Sequence, residues 1–481
     1  MAIGASTVWR VRPSGSDLNG AGYDSTVSGA GTDYTQQDSP QLSLSDLTST
    51  ASTTITSVTG GFTSAMVGNL LRISSGTGAT TGYYVVTTYV DTNTITVDRV
   101  SGTYTAGVGR VGGGAATLGR VLANGNATGD KVVAGNVIYV RGAGSDAPSA
   151  ADYTYTASIT PVTGTLGSMI KIIGENGRPR FDGSGQTIFF EGFTKSSIWL
   201  ENVMIKAGND GGVFFRVIDC QSDWVFKNVA IHTNDLDCDG IRTYAYGNRM
   251  IDCEFMSHAT APTTRSGRSA IKVLTGSSAS VKGCVFYRLG GNGITCQASA
   301  TSWCDDSLFL FGKQHGLLLE ATTNTNFMGQ ITRCTINGNT LDGINIADGS
   351  TLALFQIIGN LITNHNQASR YGINVASGTT SANDLLKVSD YNAFYNNTSN
   401  VNGITLSTND QSLGANPYTQ ADPPTTDWSV GTGVKALGFP HAFRGMLSGV
   451  ATTSYVDIGG VQRQESGGGV RLVNVNGGAD Q

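Results

Sequence analysis

The chain has 481 residues, of which 65 are Gly and 10 Pro, with 14% charged and a formal net charge of −5. Glycine at about twice the usual share without a Gly-X-Y period excludes collagen, and strand-forming residues throughout a weakly charged chain exclude disorder. A slightly acidic balance excludes a basic face for nucleic acid, and no apolar run approaches the ~18 residues of a membrane span.

The opening sequence, MAIGAS, lacks the basic and apolar stretches of a secretion signal, so synthesis and assembly in a cytoplasm are expected. Residues 1–114 read as a separate β-rich domain. Trp9-Arg10-Val11-Arg12 is followed by GNLLRISSGTG and GYYVVTTYVDTNTITVDR, with a hairpin turn near Asp91 and Asn93. The one helical signal is residues 115–124 (AATLGRVLAN), where Leu118, Val121 and Leu122 fall at helical spacing before Gly125.

From about residue 198, short strands repeat. Aligning LENVMI, FKNVAI, IDCEFM, KGCVFY, DDSLFL, TRCTIN, IGNLIT and DYNAFY defines a small polar slot. It holds Asn202, Asn228, Cys253, Cys284, Ser307, Cys334, Asn360 and Asn392. The spacing runs from 23 residues (Cys284 to Ser307) to 32 (Asn360 to Asn392). A second slot, a small residue before an aliphatic one, runs from Gly212-Val213 and Gly240-Ile241 through Gly343-Ile344 to Gly403-Ile404. Fixed slots with irregular spacing are the pattern of a solenoid whose strands are constrained and whose turns absorb insertions.

In such a coil each side chain stacks on its counterpart one coil away, at about 4.8 Å. The expected inward columns are Met204, Ala230, Phe255, Phe286, Phe309, Ile336, Ile362 and Phe394, and Trp199, Val225, Met250, Val281, Cys304, Ile331, Ile357 and Ser389. A buried Asn in the first slot would bond the Asn above and satisfy turn backbone groups, and Cys would replace it as a small hydrophobe. The seven cysteines form no CxxC pair and are expected to be free.

This pattern resembles the right-handed parallel β-helix of the pectate-lyase-like superfamily. The stretch GNVIYVRGAG followed by MIKIIGENGRPRFDGSG resembles the opening coils of that family, and residues 115–124 match the place of its capping helix. The expected fold is therefore all-β: a right-handed single-stranded parallel β-helix over residues 115–410. It would follow the N-terminal domain and precede a C-terminal closing segment, 411–481, that contains Pro423, Pro424 and Trp428.

Polygalacturonases in this superfamily use aspartates with a His-Gly. The local match is Asp305, Asp306 and His315, but all three fall within one coil, and Asp306 sits in a column of mixed charge that reads as a solvated face. Asp235, Asp237 and Asp239 spell DxDxDG, the first half of a calcium loop, without a Glu at its twelfth position, where Tyr246 stands. No other cofactor is implied. Protruding loops and the last coil offer Arg265, Arg268, Tyr391 and Tyr395 as contact residues for carbohydrate or protein.

Two functions fit. The chain is similar to β-helix proteins of bacteriophage virions (tailspike, fibre or capsid-surface decoration), which implies a non-enzymatic structural and adhesive role. That resemblance also implies a homotrimer, other virion proteins as partners, a host-surface glycan as ligand, and location in the virion. The alternative is a polysaccharide lyase or glycoside hydrolase acting on an acidic or surface glycan.

Overall fold

The computed structural model describes residues 3–32, 37–122, 132–143, 152–155, 157–183, 189–206, 216–233, 237–257, 263–297, 300–320, 327–347, 353–375 and 387–418. Two compact units divide it: residues 1–182 with 190–204, and residues 183–189 with 205–481. Among the described residues no helix is long and apolar enough to cross a membrane.

The first unit contains a closed antiparallel barrel of six strands. Their order around the barrel is Leu42–Thr50, Thr54–Thr56, Thr94–Val97, Gly82–Asp91, Leu70–Ser75 and Thr103–Val111. Alternating residues such as Leu47, Ile55, Ile73, Tyr84, Val86 and Ile95 fill it. The expected hairpin is present: Gly82–Asp91 turns into Thr94–Val97, with the Asn93 amide donating to Asp91 Oδ1 at 2.8 Å.

Strand Thr7–Val11 lies outside the barrel and pairs in parallel with Val137–Arg141, which pairs in turn with Ile170–Glu175. The barrel is thus an insertion between the first coil strand and the helix Leu118–Leu122. Trp9 is wholly buried in that strand and donates from Nε1 to Asn136 Oδ1 at 3.1 Å. The predicted helix buries Leu118, Val121 and Leu122, and Asp17 Oδ1 accepts the amides of Ala116 and Thr117 just before it.

In the second unit each coil gives one strand to each of three parallel sheets. The first sheet includes Ser278–Lys282, Thr301–Asp305 and Phe327–Thr332, and the second Val285–Tyr287, Leu308–Leu310 and Thr335–Asn337. The third includes Asn292–Cys296, Leu317–Leu319 and Ile344–Ile346. The core is a set of stacks, as expected. Phe255, Phe286 and Phe309 lie parallel, with ring centroids 5.0 and 4.4 Å apart.

The alignment of the early repeats is corrected by one residue. Asn228 has φ +52°, the same left-handed turn as Asp252, Asp306, Arg333 and Tyr391. Register places Ala230 opposite Glu254 and Ile231 opposite Phe255, so Val229, not Asn228, precedes Cys253 in the buried column. Asn202 likewise has φ +56° and is followed by the wholly buried Val203. The inward residues of these coils are therefore Leu200, Ile205, Phe226 and Ile231, in place of Trp199, Met204, Val225 and Ala230. Asn, Asp and Gly tolerate the left-handed turn, and that requirement explains the polar residue in the early repeats.

From Cys253 onward the slot residues stack in the buried column. Four slot amides donate to the side chain of the next coil: Cys253 to Cys284 Sγ (3.4 Å), Cys284 to Ser307 Oγ (3.1 Å), Cys334 to Asn360 Oδ1 (2.8 Å), and Asn360 to Asn392 Oδ1 (3.0 Å). Asn392 then donates to Asp410 Oδ1 at 2.7 Å, so Asp410 takes the place of one further coil. All seven cysteines are free and buried. The closing segment begins inside the solenoid, since Gln411–Ser412 pairs with Ala393–Tyr395 and Tyr418 bonds Thr363 on the outside of the second sheet. Pro423, Pro424 and Trp428 lie outside the described residues.

Candidate functional site

The third sheet of the second unit carries the densest polar cluster on its outer side. Its inward column is Ile218, Ile241, Ile271, Ile294, Leu317, Ile344, Ile373 and Val401. This corrects both ends of the predicted second slot: Val401, not Ile404, closes the column, and Ile218 takes the register expected of Val213, which lies outside the described residues. Glycine precedes the aliphatic residue for a steric reason. A Cβ on Gly316 or Gly343 would meet the carbonyl oxygen of the next coil at 2.7 Å.

One residue further along each strand, the outward column reads Asp219, Arg242, Lys272, Thr295, Leu318, Asn345, Asn374 and Asn402. At its start, two carboxylates of zero exposure are each gripped by an arginine three residues away on the same strand. Arg216 Nε reaches Asp219 at 2.7 and 2.8 Å, and Arg242 Nε reaches Asp239 at 2.6 Å. Burial pushes the Asp219 carboxyl above the ordinary carboxylate range, against the guanidinium beside it.

A chain of hydrogen bonds then crosses the coils. The Ser269 amide donates to Asp239 Oδ1 (2.7 Å), and Ser269 Oγ donates to Thr295 Oγ1 (2.6 Å), which also accepts from Asn292 Nδ2 (3.1 Å). Asn292 Oδ1 accepts the His315 amide at 3.1 Å, and His315 Nε2 lies 3.2 Å from Asn345 Nδ2. Asn374 donates to Asn345 Oδ1 (3.3 Å), and Asn402 donates to Asn374 Oδ1 (2.9 Å).

His315 is the group with chemistry. Its Nδ1 stands 3.6 Å from Asp342 Oδ2 and has no hydrogen-bond partner, while the side chain is 10% exposed and that of Asp342 2%. Desolvation, then the charge of Arg370, pulls the imidazole down to about 4, so it is neutral at neutral pH. Asp342 is raised by burial and accepts the Tyr371 amide (2.9 Å) and Asn374 Nδ2 (3.2 Å).

The sequence had joined His315 to Asp305 and Asp306; the structure separates them. Both aspartates hold Arg333, whose Nε donates to Asp306 Oδ1 at 2.7 Å, at the turn leaving the first sheet. His315 instead precedes the third-sheet strand and meets residues of the following coils. Asp342, Asn345 and Asn374 were missed, although the repeated Gly-Ile-Asn at 343–345 and 372–374 signals the aligned amides.

Two of the three candidate calcium ligands face arginines. Arg268 Nε holds Asp237 at 2.7 Å and lowers its pKa, while Arg242 and the Ser269 amide occupy Asp239. Asp235 lies outside the described residues. Among the described residues no three His, Cys, Asp or Glu gather as metal ligands would.

Of the expected contact residues, Arg268 is thus committed to an ion pair, and Arg265 lies near enough for its charge to act on Asp237. Tyr391 occupies a left-handed turn, and Tyr395 ends the second-sheet strand Ala393–Tyr395, half-buried. The two tyrosines share the last coil.

The family model described as "right handed beta helix region" matches residues 211–398. Pectate lyase Pel9A superposes with a TM-score of 0.42 at 13% identity, covering 69% of this chain and 89% of its own. A rhamnogalacturonan lyase gives 0.35 at 14% identity over 58% and 83%, and the Azotobacter vinelandii mannuronan C-5 epimerase AlgE4 A-module gives 0.30 at 12% over 60% and 91%. Among curated proteins none matches the sequence. The fold is all-β, a right-handed parallel β-helix.

Proposed function

We propose that this chain is a non-catalytic adhesion protein in which the β-helix is a stiff scaffold presenting flat side-chain surfaces to a glycan. The observation that carries this reading is the bonding on the outside of the third sheet. Its buried carboxylates Asp219 and Asp239 are each held by an arginine, and the polar side chains that follow bond one another from coil to coil. Groups engaged in this way brace the coils against one another.

The resemblance to virion β-helices makes the proposal more specific: a homotrimeric tailspike, fibre or capsid-surface decoration, assembled in a host cytoplasm and bound to other virion proteins. Immunogold labelling of intact particles, with mass measurement of the purified chain in solution, tests it. Label on the particle surface and a trimeric mass are expected. A monomer absent from particles removes the virion setting.

A polysaccharide lyase or hydrolase is the second reading, and one observation favours it. The buried, neutral His315 lies with Nδ1 3.6 Å from Asp342 Oδ2, an imidazole–carboxylate pairing of the kind used in acid–base chemistry. Incubation with acidic polysaccharides, following absorbance of unsaturated products and release of reducing ends, decides between the two. Turnover abolished by His315→Ala would establish an enzyme; the adhesion reading expects no turnover from the wild-type chain.

A further inference from the structure

We infer that the outer face of the first sheet in the second unit is a glycan-binding platform centred on Trp303; this rests on the adhesion reading and assigns its contact surface. Strand Thr301–Asp305 turns Cys304 inward, 1% exposed, and its neighbour Trp303 outward, 40% exposed. An indole carries the largest apolar area of any side chain, and leaving it in water on a sheet face is unfavourable unless something covers it.

Its column decides what that something is. Register aligns Arg249, Ser280, Trp303, Gln330 and Gln356 on five successive coils. At about 4.8 Å per step the column is about 19 Å long. Arg249 and Gln356 are exposed, and Ser280 and Gln330 half-buried. An aromatic plane flanked along one line by hydroxyl and amide groups fits a ligand with apolar C–H faces and many hydroxyls, which is a sugar chain lying along the column.

Other ligands fit less well. Each of these strands pairs on both sides within the sheet, so no backbone edge is offered to an added peptide strand. One cation, Arg249, in a column of five gives little grip on a polyphosphate. The ligand class is therefore a predominantly uncharged glycan.

The test uses the full chain, labelled and applied to an array of bacterial surface glycans, with each hit titrated against wild type, Trp303→Ala, Trp303→Phe and Gln330→Ala. We expect binding insensitive to added salt, weakened about tenfold or more by Trp303→Ala, largely retained by Trp303→Phe, and weakened to a lesser degree by Gln330→Ala. Wild-type binding that Trp303→Ala leaves intact overturns the platform and spares the adhesion reading. Binding that disappears with salt overturns the uncharged class. A wild-type chain that binds no glycan on the array overturns both readings. Unchanged thermal midpoints in the variants show that a loss of binding is not a loss of fold.

Discussion

The outer faces of the first and third sheets are built by the same coils, yet their polar side chains have different fates. On the third, Asp219, Asp239, Asn292 and Thr295 are buried, Asp219 held by Arg216, Asp239 by Arg242, and Thr295 by Asn292. On the first, Arg249, Trp303 and Gln356 face water. The difference teaches that in a stacked coil, burial on an outer face follows from whether the same strand and the neighbouring coils supply complementary partners. A polar residue type alone does not reveal which face it serves.

The largest effect that would break the comparison is at the third sheet. Arg242→Ala leaves the Asp239 carboxylate buried and unpaired, and should cost about 3–5 kcal/mol in denaturant unfolding of the full chain. A loss below ~1 kcal/mol would mean that water reaches this face. Next is Asn360→Ala in the ladder, which orphans the Cys334 amide and the Ile331 carbonyl and should cost about 1–3 kcal/mol.

Titration sharpens the contrast further. The His315 imidazole sits near 4 in the fold against an ordinary 6.5, so as pH falls the unfolded chain binds its proton first. Stability from this group is therefore lost between pH 6.5 and about 4 and falls no further below that. His315→Gln should remove up to about 3 kcal/mol of that loss, seen as a flatter dependence of thermal midpoint on pH. His365, also lowered by burial, acts in the same sense, and Asp342, raised by burial, in the opposite one, so the measurement is the difference between variant and wild type. The smallest effect lies on the first sheet: Trp303→Ala and Arg249→Ala should each change stability by no more than about 0.5 kcal/mol. A larger loss at either would show that this face is structural too.

The stacked core was legible because each coil repeats the same inward chemistry: Phe255, Phe286 and Phe309 are aligned in the sequence as they are in space. The one-residue slip at Asn202 and Asn228 arose because Asn serves two purposes. At Asn360 it is a buried ladder residue, and at Asn228 it is the left-handed turn just before a buried valine. The pairing of strand Thr7–Val11 with Val137–Arg141 was not legible because its parallel partner is about 130 residues away, beyond an inserted barrel that local patterning cannot look past.

The candidate site was only partly legible. His315 was singled out, but with Asp305 and Asp306, which sit near it in sequence and belong to a different sheet. Its true neighbours, Asp342 and Asn345, lie 27 and 30 residues on, one coil away.

The sequence by itself determined the all-β class, the coil period and, from the coil of Cys253 onward, the residues that stack inward on the first two sheets, because those are set by periodicity along one chain. Tertiary structure decided which carboxylates are neutralised, which histidine is buried, and that Trp303 is left facing water. Those properties depend on which side chains of the same strand and of adjacent coils are placed against each group, and turn lengths that vary from coil to coil conceal that register from a linear reading.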